Sequence, residues 1–281
     1  MSIIKNLMKK KVAFKVFYIG SNYYGLQKQP NLKTIEGEIK NSLINKSYIN
    51  SDDYGNLDYS SRTDSGVHAL EQIISFKTDK RIIIPEINHA LPKDIIFWAC
   101  AYVDNEFNPR YDVISRHYKY IFVKDYNQYD INLMKKVAIL FIGEHDFTNF
   151  SKIEKQKNPY REILKLEVKE IGDCFVFDVV GKSFLRQMVR RIAKAILEVG
   201  SSQISVEIIQ KLLEKSISLK DKIGPAPLEP YGSLILYKIE NNLDFMINEY
   251  SQEKLRRIFY NKIREYTLKT KTFETFLNEI I

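Results

Sequence analysis

The sequence predicts an α+β protein made of two similar mixed α/β halves followed by a helical extension. Three observations lead to that class. Apolar alternation and helical periodicity give a strand, helix, strand, strand, helix, strand order up to about residue 104, and a comparable mixed order recurs as far as about residue 240. The composition, 44% hydrophobic and 28% charged over 281 residues, is that of an ordinary globular chain. Beyond Gln252 the chain becomes charged and periodic. The halves are accordingly set at 1–110 and 111–240, and the extension at 241–281.

Taken in order, Val12–Ile19 reads as a strand with Phe14, Val16 and Tyr18 on one face. Thr34 is placed to cap a helix whose apolar residues Ile35, Ile39 and Leu43 recur every four positions. Tyr59–Gly66 is a loop and Gln72–Lys77 a strand. Pro85–Leu91 suits a short helix opened by proline, and Asp94–Val103 a buried strand. In the second half Tyr118–Val123 is a strand, and Asn132–Ile142 is a helix with Leu133, Val137, Leu140 and Phe141 inward. Leu164–Val168 and Cys174–Val180 are strands joined at Gly172-Asp173. Phe184–Val199 reads as the clearest helix, its apolar residues from Phe184 and Leu185 to Val199 falling on one face. Ile204–Leu213 is taken as its continuation, and Leu234–Ile239 as a closing strand.

The longest apolar run, Ile95–Val103, is far short of the ~18 residues needed to span a membrane. Lys9–Lys11 are followed by no apolar stretch, because Lys15 interrupts Val12–Gly20, so no signal peptide and a cytoplasmic location are expected. Cys100 and Cys174 have no neighbouring Cys or His pattern and are expected to be buried, reduced thiols. Lys+Arg number 43 against 35 Asp+Glu, a net charge of +8, which favours a polyanionic partner such as nucleic acid. Tyr (18) and Phe (16) offer stacking surfaces for bases, although most must serve the core.

Since no helix or strand is unusual, the chemistry is sought in loops. Tyr59-Ser60-Ser61-Arg62-Thr63-Asp64-Ser65-Gly66-Val67-His68-Ala69 sets one carboxylate among small, turn-forming residues, with Arg62 two positions away. Gly66 can take positive φ, which lets backbone approach a ligand. By local physics alone the same residues also fit a surface turn with a helix-capping aspartate. His68 has no companion at metal-ligand spacing among His89, His117 and His145, so it is read as structural and no metal is expected.

Arg62-Thr63-Asp64 followed by Gly66-Val67-His68-Ala69 resembles the active-site motif of the TruA family of tRNA pseudouridine synthases. Four further blocks resemble that family in order and spacing. They are Tyr23-Tyr24-Gly25 with Gln27, Phe107-Asn108-Pro109-Arg110 with Arg116-His117-Tyr118-Lys119-Tyr120, Gly143-Glu144-His145-Asp146-Phe147-Thr148-Asn149-Phe150, and Phe184-Leu185-Arg186-Gln187-Met188-Val189-Arg190. Departures are Ser65 where the family has Ala, Leu26 where it has Trp, and Gln187 where it has His or an aromatic residue.

The resemblance implies a pseudouridine synthase fold, with largely antiparallel sheets flanking a central RNA-binding cleft. It implies an isomerase acting on uridine in the anticodon stem-loop of tRNA, without metal or small-molecule cofactor, usually as a homodimer. Asp64 matches the catalytic aspartate, which attacks C1′ of the ribose or C6 of the uracil. Tyr118 matches the tyrosine that stacks on the target base, Arg190 the cation that pairs with the aspartate, and Arg62 an arginine that holds the target nucleotide out of its helix. Arg110, with Lys28, Lys182 and Arg186, is a candidate phosphate contact.

Elementary chemistry fits these assignments. A nucleophilic carboxylate must be ionised, and burial in a base-binding pocket opposes that, so a fixed cation is needed. Two opposite charges ~4 Å apart attract by ~4 kcal/mol at an effective dielectric of ~20, before desolvation. A flipped base costs a few kcal/mol of lost stacking, which an aromatic ring can offset. Two rivals remain: a catalytically inactive RNA-binding or RNA-folding protein on the same scaffold, and a carboxylate hydrolase, which would need a second carboxylate.

Overall fold

The computed structural model describes residues 9–51, 57–152, 158–214 and 223–280. The first half contains β1 (Lys10–Tyr18), α1 (Ile35–Asn45), β2 (Asp58–Tyr59), β3 (His68–Thr78), α2 (Ile84–Ala90) and β4 (Ile95–Val103). The second contains β5 (Ser115–Val123), α3 (Ile131–Leu140), β6 (Gly143–Asp146), β7 (Tyr160–Ile171), β8 (Cys174–Gly181), α4 (Met188–Gly200), α5 (Val206–Leu213) and β9 (Gly232–Glu240). β10 (Met246–Ile247) and the long helix α6 (Glu249–Ile280) end the described chain. Ile281, the last residue of the expected extension, lies outside the described residues.

The two expected sheets are joined edge to edge. All the strands belong to one ten-stranded sheet in the order β10-β4-β1-β3-β9-β5-β8-β7-β6, with β2 added on β3. Pairing is antiparallel within each half. The joint is a two-residue parallel ladder, His68 opposite Ile235 and Ala69 opposite Leu236. The motif that carries Asp64 therefore runs directly into the seam between the halves. A single large apolar cluster spans both, from Phe14, Phe76 and Phe97 to Phe177, Ile192 and Leu236. It sits between one face of the sheet and helices α1 to α5.

Several elements form for the reasons read from the sequence. Thr34 is extended, and its hydroxyl accepts from Gly37 N–H, closing the start of α1. Pro85 occupies the first turn of α2, where its missing N–H costs nothing. Gly172, at φ +55°, makes the β7–β8 turn.

Other expectations are corrected. The helix read as Phe184–Val199 starts only at Met188, because Gln187 has φ +61° and breaks the helical path. Ile204–Leu213 does not continue it: Ser202, at φ +60°, turns the chain, and α5 starts afresh after Ser205. The buried face of α3 is Met134, Val137 and Ala138, with Phe141 after its end; Leu133 and Leu140 are half-buried, because the helix is rotated toward α4. Cys174 begins a strand at the hairpin turn and is only half-buried, unlike Cys100; both thiols are free. β6 and β10 were not expected at all, being short and without apolar alternation. No helix among the described residues is long and apolar enough to cross a membrane.

Candidate active site

The loop Ser60–Val67, between β2 and β3, is fixed from three sides. Buried Gln72 on β3 accepts from Ser60 Oγ (2.6 Å) and Ser61 N–H (3.2 Å), and donates to Ser61 O (2.7 Å). From β1, the Tyr18 hydroxyl shares a hydrogen bond of 2.7 Å with Thr63 Oγ1. From the loop after β1, Leu26 N–H donates to Thr63 O (3.0 Å), and Ser65 Oγ donates to Tyr23 O (3.1 Å). Gly66 takes φ +78°, which turns the chain back into β3. Asp64 thus sits on backbone held by neighbours rather than on a mobile tip.

His68 helps to hold the loop. Its Nδ1 accepts from Gly20 N–H at 3.1 Å, and its Nε2 faces Glu229 Oε1 at 3.3 Å. The bond at Nδ1 requires that nitrogen to be unprotonated, and burial lowers the imidazole pKa despite the nearby Glu229. This fits the structural reading of the residue. Among the described residues, no three His, Cys, Asp or Glu side chains converge as a metal site would require.

Asp64 opens into a cleft of about 1030 Å³ whose walls come from both halves. Among the described residues, eight basic side chains line it: Lys28, Arg62, Arg110, Arg116, Lys152, Arg161, Arg186 and Arg190. Asp64 is the single acidic one among the described lining residues. Such a surface suits a polyanion.

The sequence-derived candidates occupy distinct places. Tyr118, on β5, is buried in the cleft wall, its ring meeting the edge of Phe184 at 5.2 Å between centroids. Burial raises its phenol pKa, so the group is neutral at physiological pH. Arg62 and Arg110 are exposed at the mouth, their guanidinium groups 6.0 Å and 5.4 Å from the rings of Tyr59 and Tyr111. Lys182 does not line the cleft and pairs instead with Glu162 at 2.6 Å.

The ion partner of Asp64 is Arg186, whose Nε lies 3.4 Å from Oδ1. Arg190, expected to make that pair, gives its Nε to Ala226 O at 2.7 Å. Burial lowers the Arg190 pKa, opposed by Tyr120 and by the charge of Asp64, so it remains a nearby cation. The displacement follows from the corrected helix start. Residues Phe184–Gln187 form a turn rather than helix, and that turn carries Arg186 into the cleft.

Arg116 has a role that motif reading did not assign. It is buried, and it donates to Ser60 O (3.0 Å), Arg110 O (2.6 Å) and Lys182 O (2.5 Å). One guanidinium thereby ties three cleft loops together. Gln72 was missed likewise. An amide among Leu70, Ile73 and Ile74 on a buried strand was the available signal.

A family model described as tRNA pseudouridine synthase matches residues 137–239. The tRNA pseudouridine synthase A of Methanosarcina barkeri is 38% identical over 245 residues, covering 86% of this chain and 89% of its own. Its counterpart in Archaeoglobus fulgidus is 35% identical over 267 residues, covering 95% and 97%. That of Pyrococcus horikoshii is 34% identical over 256 residues, covering 91% and 94%.

Proposed function

The chain belongs to the tRNA pseudouridine synthase A family, an isomerase of uridine in tRNA, and from that premise we propose that Asp64 is its catalytic nucleophile and the anticodon stem-loop its target. The observation that carries the first part is that, among the described lining residues, Asp64 is the single carboxylate in a wall of eight cations.

The reaction exchanges one bond for another. The N1–C1′ bond of uridine breaks, the uracil turns, and a C5–C1′ bond forms. C5 loses its proton and N1 gains one, so nothing is oxidised overall. Asp64 attacks C1′, releasing the base, or C6, activating it; either adduct collapses to return the carboxylate. Arg190 and Arg186 stabilise the carboxylate before attack and as it is released. Tyr118 offers the base a ring to lie against, and its neutral hydroxyl can exchange a proton with it. Arg62 and Arg110, at the mouth, bind phosphates beside the extruded nucleotide.

The test is Asp64→Asn. Pseudouridine formation in a tRNA transcript is expected to fall by at least about a thousandfold with tRNA binding retained. Full activity of the variant would overturn the assignment. Wild-type protein that binds tRNA and leaves every uridine unchanged would make it an RNA-binding protein instead. For the target, mapping in tRNA from cells lacking this protein should show pseudouridine lost from the anticodon stem-loop; loss confined to other arms refutes that choice.

A further inference from the structure

Residues 223–229, which lead into β9, form no helix or strand, yet they touch both halves of the molecule beside the cleft. Toward the second half the contacts are polar. Arg190 Nε donates to Ala226 O at 2.7 Å, and Ala226 N–H donates back to Arg190 O at 3.0 Å. Arg191 Nη1 donates to Ile223 O at 2.6 Å. Toward the first half, Leu228 lies against the loop of Asp64, where a Cβ on Gly66 would stand 3.0 Å from its Cδ1. Glu229 faces His68 at 3.3 Å. One short strap therefore contacts both the helix that carries Arg190 and the loop that carries Asp64.

A coil of this kind has no ladder of backbone hydrogen bonds to keep it in place. The side chain that reaches it from the sheet is Tyr120 on β5. Tyr120 is fully buried, and its hydroxyl donates to Pro227 O at 2.8 Å. Burial raises its phenol pKa, against the pull of the Arg190 charge, so the hydroxyl keeps the proton it donates. Gly232, on β9, leaves the space for this bond: a Cβ there would stand 2.4 Å from Tyr120 Oη and 2.7 Å from Pro227 O.

Tyr118 and Tyr120 share one face of β5, but their surroundings differ. Tyr118 lines the cleft, and Tyr120 is not among the lining residues. What Tyr120 does to the chemistry must then pass through the strap. Its bond fixes the carbonyl next to Ala226, and Ala226 holds the Nε of Arg190. Because a guanidinium is planar, one fixed Nε–H bond sets the direction of its remaining donors.

We propose that Tyr120 is a positioning residue for the isomerisation, holding the strap 223–229 through the carbonyl of Pro227 and, through the strap, aiming Arg190 at Asp64. This role rests on Arg190 being the cation that serves Asp64.

Single-turnover pseudouridine formation on a tRNA transcript, followed through a double-mutant cycle, tests it. Tyr120→Phe keeps the ring and loses only the hydroxyl. Its rate should fall by about ten- to a hundredfold, the scale of a small misplacement at a reacting centre. Its tRNA affinity should stay within about twofold, because uniform binding is untouched. In an Arg190→Ala background the same change should cost less than about twofold, since the group it acts through is already gone. A purely structural role would lower the rate equally in both backgrounds and overturns the proposal, as does Tyr120→Phe with the wild-type rate. A full rate in Arg190→Ala alone would instead remove Arg190 from the chemistry, and the role of Tyr120 with it. Gly232→Ala leaves Tyr120 in place and forces a Cβ against its hydroxyl. It should lose rate with the same dependence on Arg190, and it decides the matter if Tyr120→Phe does not fold.

Discussion

Arg186 Nε stands 3.4 Å from Asp64 Oδ1, while Arg190, one helical turn further on, is tied to the carbonyl of Ala226. The two cations differ in kind. The Arg186 side chain is 47% exposed and that of Asp64 29%, so their pair is a surface ion pair, worth about 0–1 kcal/mol. Arg190 is half-buried on α4 and held there by its bond to Ala226 O. Arg190→Ala is expected to lower kcat by about a hundredfold or more, the usual effect of losing a preorganised charge. Arg186→Ala should lower kcat/KM by about tenfold or less, through binding. Single-turnover kinetics on a tRNA transcript separates the two, and the reverse order would make Arg186 the working partner.

Tyr118 combines a ring in the cleft wall with a hydroxyl kept neutral by burial. Tyr118→Phe preserves the ring and removes the hydroxyl. It should leave tRNA affinity within a few-fold and reduce kcat by about a hundredfold, at the low end of acid–base contributions. An unchanged kcat would confine Tyr118 to stacking.

Much of this was legible in the sequence because the signals are local. Thr34 declares α1 through its own hydroxyl, Pro85 marks the first turn of α2, and Gly172-Asp173 marks a hairpin. The five motifs located the loop, the strand and the helix that together make the cleft. What failed was non-local or concealed by periodicity. The apolar stripe of α4 extends unbroken back to Phe184, yet Gln187 adopts positive φ, and Phe184, ahead of that turn, meets the ring of Tyr118. No pattern announces such a residue, and the position of Arg186 depends on it. The parallel joint between β3 and β9 rests on two residue pairs 167 positions apart, and that separation leaves no trace in either strand. Arg116 looked like part of a strand motif, whereas two of its three carbonyl acceptors, Ser60 and Lys182, are more than fifty residues away.

His68 should make the protein sensitive to mild acid. Its folded pKa lies below the unfolded value of ~6.5, so the unfolded chain takes up the proton first. The stabilisation is complete above ~6.5 and is lost as pH falls through the folded pKa. Protonation at Nδ1 would also set two hydrogens against each other at Gly20. Melting temperatures between pH 7.5 and 5 should fall more steeply for wild type than for His68→Asn, whose amide oxygen can accept from Gly20 without titrating. Parallel curves would show that this imidazole contributes no proton linkage.

Gly20 tests whether the loop that carries Asp64 depends on a backbone that never touches the cleft. A Cβ there would lie 2.0 Å from Val67 O and 2.6 Å from Val67 C, a main-chain obstruction that no rotamer change can relieve. The same residue donates its N–H to His68 and accepts at its carbonyl from Tyr23 N–H, so a shift would disturb both sides of the loop. Gly20→Ala is expected to cost about 1–3 kcal/mol, the range for forced overpacking, and about 2–4 °C of melting temperature per kcal/mol. Activity should fall further than stability explains, because the residue displaced is Val67, three positions from Asp64. Gly224→Ala, where a Cβ meets nothing within 4 Å, is the matched control and should be silent. If Gly20→Ala melts and turns over like wild type, Val67 and the loop it ends must be freer to move than their hydrogen bonds indicate.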